Sequence, residues 1–155
     1  MMISKPMAGD YRATPYLICR NAAEALDWYK SAFLASEIVR MADPSGKIMH
    51  AEFRIGAAPL MIADEFPDMG YNSPQSIGGS AVSIHVLVDD VDQTFSRAIK
   101  IGAKEVMAVT DQFDGERRGT LKDPYGHIWL LATRVEDVSF LEMSERFKKM
   151  MAGEA

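Results

Sequence analysis

Most of the acid–base chemistry open to this chain of 155 residues rests on three histidines, His50, His85 and His127. Imidazole titrates nearest to neutral pH, which makes it the first candidate for proton transfer. His50 lies in "MHAEFRI", where period-two alternation sets Met49, Ala51, Phe53 and Ile55 on one face. His50, Glu52 and Arg54 fall on the other. Glu52 and Arg54, two residues apart, read as an ion pair; the competing reading makes Glu52 the partner of His50 in an acid–base pair. His85 lies in the strand-like run "AVSIHVLV". His127 follows the turn "KDPYGH", whose Asp123, Pro124 and Gly126 occupy places that a type I turn favours. It reads as tying up a loop carbonyl. The single cysteine, Cys19, sits in an apolar run and reads as a buried, inert thiol.

Other chemistries are excluded quickly. There is no glycine-rich phosphate loop, no G-x-S-x-G and no paired C-x-x-C. "QSIGGS" is a glycine linker with no helix directly after it. Formal net charge is −5 with no basic stripe, so nucleic acid is not the expected partner. No run approaches the roughly 18 apolar residues needed to span a bilayer, and the first residues, "MMISKPMAGDYRA", lack the apolar core of a signal peptide. One cysteine permits no intrachain disulfide, which suits a reducing compartment. A cytoplasmic protein without membrane contact is expected. In "DQFDGERRG", Gln112 and Arg117 could meet an anionic ligand at a rim, although a solvated loop is the default.

These groups must be positioned by two similar units. "NAAEALDWYKSAF" opens with Asn21 and has Glu24 three residues on, a capping box; "DVDQTFSRAIKIGA" opens with Asp90 and has Gln93 in the same relation. Each helix follows a strand-like run, "TPYLIC" or "AVSIHVLV", and precedes three more. Aligning Arg20 with Asp89 gives an offset of 69 (89 minus 20), and Gly56 with Gly126 gives 70 (126 minus 56). The expectation is an α+β chain in a single domain, 1–155, built from two βαβββ modules. The first spans 10–66 and the second 81–134, with a linker or mobile loop over 67–80. A C-terminal helix is expected within 135–155, packing on the body or on a partner chain; Ser139 and Glu142 form its capping box.

"AAEALDWYKSAF", "GKIMHAEFRIGAAPLMIADE", "SIHVLVDDVDQTFSRAIKIGAKEV" and "GTLKDPYGHIWLLAT" together resemble the glyoxalase/bleomycin-resistance/extradiol-dioxygenase group, the vicinal oxygen chelate superfamily, and within it the PhnB-like branch. The resemblance implies paired modules whose mixed sheet curls around a cavity, usually in a homodimer. It also implies, in metal-dependent members, a divalent ion held by side chains from the first and last strand of each module. His85 matches such a position. Tyr16, Leu60 and Leu130 fall at the other three, so a divalent metal is disfavoured as cofactor. If ligand positions point inward, Tyr16, Leu60, Ile62, Asp64, His85, Ile128 and Leu130 face the cavity, while Cys19, Ile84, Val86, Val88, Trp129 and Leu131 face the helices. With the other face of "MHAEFRI", the polar set at the cavity becomes Tyr16, His50, Glu52, Asp64 and His85. It is either a self-satisfied network or a site in which His50 works with Glu52 or Asp64. The implied function is a small-molecule-binding, glyoxalase-like protein that has lost the standard metal site. The alternatives are a metal-dependent lyase, isomerase or dioxygenase on a small oxygen-rich substrate, and an interaction module working through its tail helix.

Overall fold

In the computed structural model, which describes residue 9 and residues 12–153, the chain runs through the same five elements twice. The first unit comprises β1 (Tyr16–Cys19), α1 (Ala22–Phe33), β2 (Ser36–Ala42), β3 (Ile48–Ile55) and β4 (Ala58–Asp64). After a connector containing the short helix α2 (Pro74–Ile77) come β5 (Ser83–Leu87), α3 (Val91–Lys100), β6 (Lys104–Asp111), β7 (Glu116–Lys122) and β8 (Ile128–Arg134). The sheets have matching strand orders, β1-β4-β3-β2 and β5-β8-β7-β6, with only the β1–β4 and β5–β8 pairs parallel. The expected α+β architecture of two βαβββ modules is therefore present. The strands form two separate four-stranded sheets rather than one continuous curled sheet.

The repeat is visible in hydrogen bonds. Asn21 accepts from the Glu24 amide at 3.3 Å, and Asp90 accepts from the Gln93 amide at 2.9 Å, so each side chain satisfies a free donor in the first helical turn. Asp64, at the end of β4, accepts from the Ala22 amide at 3.0 Å; Thr133, near the end of β8, accepts from the Val91 amide at 2.8 Å. The equivalences Ala22/Val91 and Asp64/Thr133 both give an offset of 69 (91 minus 22, 133 minus 64). Gly56 and Gly126 are not equivalent. The first hairpin turns through Gly56 and Ala57 alone, between the paired Ile55 and Ala58, whereas Asp123 to His127 separate the paired Lys122 and Ile128.

Both helices pack on the same side of the sheets and share one core. Tyr29 stacks on Phe53 with ring centroids 5.4 Å apart and lies 5.4 Å from Trp129, while Phe33 is 4.9 Å from Trp129. Trp129 is fully buried, so an aromatic from the second module fills space above the first module's helix. The Asp123 carboxylate ties this contact together. It accepts from Tyr29 Oη at 2.7 Å and Trp129 Nε1 at 2.8 Å, and from the amides of Tyr125 and His127. Trp28 Nε1 donates to the Ile101 carbonyl and Arg97 to the Ala32 carbonyl, both at 2.8 Å, closing the same seam elsewhere.

The connector read as a linker is folded. Phe66 and Tyr71 bridge around a 3₁₀ turn, and Ser73 caps α2. The Glu65 carboxylate accepts from the Ser76 hydroxyl at 2.7 Å and the Ser73 amide at 3.0 Å; these bonds hold it well below the usual carboxylate range, at about 2. α4 (Phe140–Met151) is capped by Ser139 and attached to the body through a Phe113–Phe147 contact at 5.5 Å and an Arg146–Glu136 ion pair. None of its residues is buried.

Candidate functional site

A cleft of about 720 Å³ opens between β1 and β5. Its walls are residues 13–18 of the first module and 79–85 of the second, with Asn72, Pro74 and Ile77 from the connector and His127 behind. The lining is mostly apolar, with Pro15, Leu17, Ile18, Ala81, Val82 and Ile84 among it. That volume lies within the range of about 300–1,000 Å³ usual for small-molecule sites. Gly126 lets the β7–β8 turn approach the connector: its φ is +94°, and a Cβ there would stand 2.8 Å from Pro74 Cβ.

Tyr16 and His85 are the chemically active side chains on these walls, and they occupy equivalent places in their modules (85 minus 16 is again 69). Tyr16 Oη lies 2.8 Å from His50 Nδ1, and His50 Nε2 lies 3.4 Å from Glu52. A carboxylate only accepts, so the His50 tautomer that satisfies both contacts donates from Nε2 to Glu52 and accepts a hydrogen bond from the Tyr16 hydroxyl at Nδ1. Burial, then the neighbouring Tyr71, pushes the Tyr16 hydroxyl above its ordinary value. Glu52 thus partners His50 instead of Arg54. His50 and Glu52 stand behind Tyr16 and do not themselves line the cleft.

On the opposite wall, His85 Nε2 lies 2.9 Å from Glu116 Oε2. Glu116 is on β7 and reaches across β8 to β5. Its side chain is only 7% exposed and also receives Arg118 at 2.6 Å and Arg134 at 3.2 Å. Burial pushes the Glu116 carboxyl up, but hydrogen bonds from His85 and Arg118 outweigh it and hold the group below the usual carboxylate range. Glu116 was missed in the sequence because "DQFDGERRG" reads as a solvated loop. Gln112 and Arg117 of that stretch are indeed engaged elsewhere, Arg117 with Asp92 and Asp111, and neither lines the cleft.

Several placements differ from expectation: like His50 and Glu52, Ile128 and Leu130 do not line the cleft. Leu60, Ile62 and Asp64 do not face the cleft; they are 2%, 0% and 5% exposed in the helix-side core. The register pairs Tyr16 with Met61 and His85 with Leu130, so Met61 and not Leu60 is the counterpart of Leu130. Aligning turn glycines from hairpins of unequal length put β4 out of phase by one residue, which reverses its faces. Asp64 spends both oxygens on the backbone, accepting from the Ala22 amide at 3.0 Å and the Ile48 amide at 2.6 Å. On β3, Met49 is 47% exposed and Ile48 is buried in its place, because the β2–β3 register shifts between Met41 and Ala42. His127 meets a carbonyl as expected, but that of Ile18, 3.1 Å away in the other module, with Cys19 Sγ at 3.7 Å. Burial comes first among the causes that raise the Cys19 thiol's pKa, which keeps it protonated.

The cation implied by the resemblance can be tested against these donors. The first- and last-strand places hold a phenol, a thioether, an imidazole and an alkyl chain: Tyr16, Met61, His85 and Leu130. A catalytic zinc wants about three nitrogen, sulfur or oxygen protein ligands, and harder ions want more oxygen still. The set does not fit. Among the described residues, no group of three His, Cys, Asp or Glu side chains could hold a metal.

Duplicated βαβββ modules flanking a cleft define the class of protein, and the family comparison agrees. Residues 12–131 match the model of the glyoxalase/bleomycin resistance protein/dioxygenase superfamily, and the chain belongs to that family. It is 43% identical over 133 residues to an uncharacterised protein of Mycobacterium tuberculosis, covering 84% of this chain and 78% of that one. Among solved structures, TioX from Micromonospora sp. ML1 is 25% identical with a TM-score of 0.63, covering 83% of this chain and 100% of its own. The PhnB protein from Bacillus cereus is similar in fold at 21% identity and a TM-score of 0.63, covering 79% of this chain and 99% of its own.

Proposed function

We propose that this chain binds a small organic molecule in the β1–β5 cleft and does so without the divalent cation of metal-dependent relatives. The observation that carries the reading is the cleft itself: largely apolar walls of ligand-sized volume, with Tyr16 and His85 at equivalent places on its two sides. A ligand with a flat or greasy body and two polar ends fits that arrangement. Burying the body supplies affinity, and Tyr16 and His85 fix its orientation. The chain acts as a homodimer in this reading; Met41, Met49, Val106 and Met107, all exposed, are the kind of surface a second copy would cover.

A thermal-shift screen with small aromatic and cationic compounds tests the proposal. A ligand at 100 times its dissociation constant adds about 2.7 kcal/mol, which raises Tm by about 2–4 °C per kcal/mol for a domain of this size. Ala81→Trp, which fills the cleft, should abolish the shift. A screen without hits, or hits that stabilise Ala81→Trp equally, would remove the reading. Micromolar binding of Zn²⁺, Ni²⁺, Mn²⁺ or Fe²⁺ would remove its metal-free part.

A further inference from the structure

We propose that His85 is a general base that removes a proton from carbon on a small planar ligand, without a metal. The proposal rests on the cleft being a ligand site and goes beyond it by assigning a reaction. Three histidines could serve, and the geometry selects one. His127 is buried, with Nε2 on the Ile18 carbonyl. His50 has both ring nitrogens engaged, by Tyr16 and by Glu52. His85 lines the cleft, its side chain 42% exposed, and its Nε2 is held by Glu116. Since an ionised carboxylate only accepts, the ring proton sits on Nε2 and the lone pair on Nδ1. Among the described residues, nothing hydrogen-bonds that Nδ1.

The carboxylate behind the ring is itself fixed. Arg118 donates to the same Oε2 that meets His85, Arg134 donates to Oε1, and the Asp114 side chain accepts from the Glu116 backbone amide at 3.1 Å. Glu116 is thus a positioning residue. It sets the tautomer and ring plane, and it stabilises the imidazolium that forms once Nδ1 has taken a proton. The matching substrate class is a compact, flat molecule whose C–H is acidified by a neighbouring electron-withdrawing group.

5-Nitrobenzisoxazole is a probe of that class. Its C3–H proton passes to His85 Nδ1, the C–H electron pair becomes part of the nitrile, and the N–O bond breaks. The negative charge leaves on the phenolate oxygen of 2-cyano-4-nitrophenolate, which is coloured. General-base catalysis typically contributes about 10²–10⁴-fold. Wild-type protein in the presence of EDTA is therefore expected to exceed an equal concentration of free imidazole by about 10²-fold. His85→Gln should fall to within about twofold of that background. Glu116→Gln should lower kcat about tenfold with KM unchanged, and ¹⁵N NMR should show its His85 losing the single Nε2–H tautomer. A wild-type rate no better than imidazole, an unaffected His85→Gln, or loss of turnover on adding EDTA would each overturn the assignment. Binding is followed separately, by saturation-transfer difference NMR of 2-cyano-4-nitrophenol. Signals without turnover overturn the base and leave the cleft reading standing; neither signals nor turnover overturns the base and counts against the cleft as well.

Discussion

The register of β4 decides which side chains enter the helix-side core, and two adjacent substitutions test it. Leu60 is 2% exposed in the helix-side core, and Met61, one residue on, is part-exposed and paired with Tyr16 and with Glu52. Replacing Leu60 by Lys forfeits about 1.5–3 kcal/mol of side-chain burial. It also places an ammonium among Phe53 and its neighbours, at several kcal/mol for an unpaired buried ion. The sum reaches the whole stability of a typical domain, about 5–15 kcal/mol. At Met61 the same lysine can carry its amine to solvent on the opposite face, beside the paired Glu52, and the change should stay within about 1 kcal/mol. Urea unfolding followed by far-ultraviolet circular dichroism measures both. The pH dependence adds a check with a definite sign. A buried lysine has its folded pKa depressed, so its penalty is complete only below that folded value and shrinks as pH rises from there toward the unfolded value near 10.4. Leu60→Lys should regain stability in that direction and Met61→Lys should not. Equal losses at the two positions, or a tolerated lysine at 60 with a damaging one at 61, would refute the register.

Three further outcomes follow. Asp123→Asn turns an acceptor toward Trp129 Nε1 and Tyr29 Oη into a donor, so it should cost about 2–4 kcal/mol; a double-mutant cycle with Tyr29→Phe should show coupling above about 0.5 kcal/mol. Glu65 and Glu37 are both held at about 2 against an ordinary 4.5, Glu65 first by the Ser76 hydroxyl and Glu37 first by Arg40. A depressed folded pKa stabilises above the unfolded value and is lost as pH falls through the folded one. The urea midpoint should therefore drop between about pH 4.5 and 2, less steeply in Glu65→Gln. Truncation after Asp137 removes α4, none of whose residues is buried, and should leave the circular dichroism of the remaining chain cooperative on heating; loss of a cooperative transition would show that the helix holds the second module together.

Helices and repeat were legible because their signals are local. A capping side chain and the amide it accepts lie three residues apart, so Asn21–Glu24 and Asp90–Gln93 can be read from the string. The helix-side face of β8 followed from alternation, with Trp129 and Leu131 fully buried; on β5 only Val86 is buried, and Ile84 also lines the cleft. The cleft was less legible. His85 was visible as a candidate, but its partner lies 31 residues on and one strand beyond its neighbour, a contact made by the order β5-β8-β7 alone. Asp64 misled for a related reason. A carboxylate closing an apolar strand looks like chemistry, when its two oxygens satisfy amides that arrive from α1 and β3. The β4 error came from treating glycine as a marker of alignment, whereas it marks a turn, and turns of different length place it differently.

The two modules have diverged on one side of their sheets and stayed alike on the other, and the physics of each side explains why. On the helix side, every position answers to packing and to helix starts. Asn21 and Asp90 do the same work, as do Asp64 and Thr133, although neither pair keeps one residue type. On the cleft side, nothing in the fold requires a particular group. There Tyr16 is the counterpart of His85, and Met61 that of Leu130. The second hairpin carries one more residue in register, so equivalence on β3 and β7 shifts to 68 and His50 matches Arg118. The result is two polar networks of unlike character facing one apolar cleft: a phenol backed by imidazole and carboxylate, and an imidazole backed by a carboxylate and two guanidiniums. A symmetric binder would need no such difference. In the proposed reading the ligand's two ends differ likewise, one met by a hydroxyl and the other by a nitrogen lone pair.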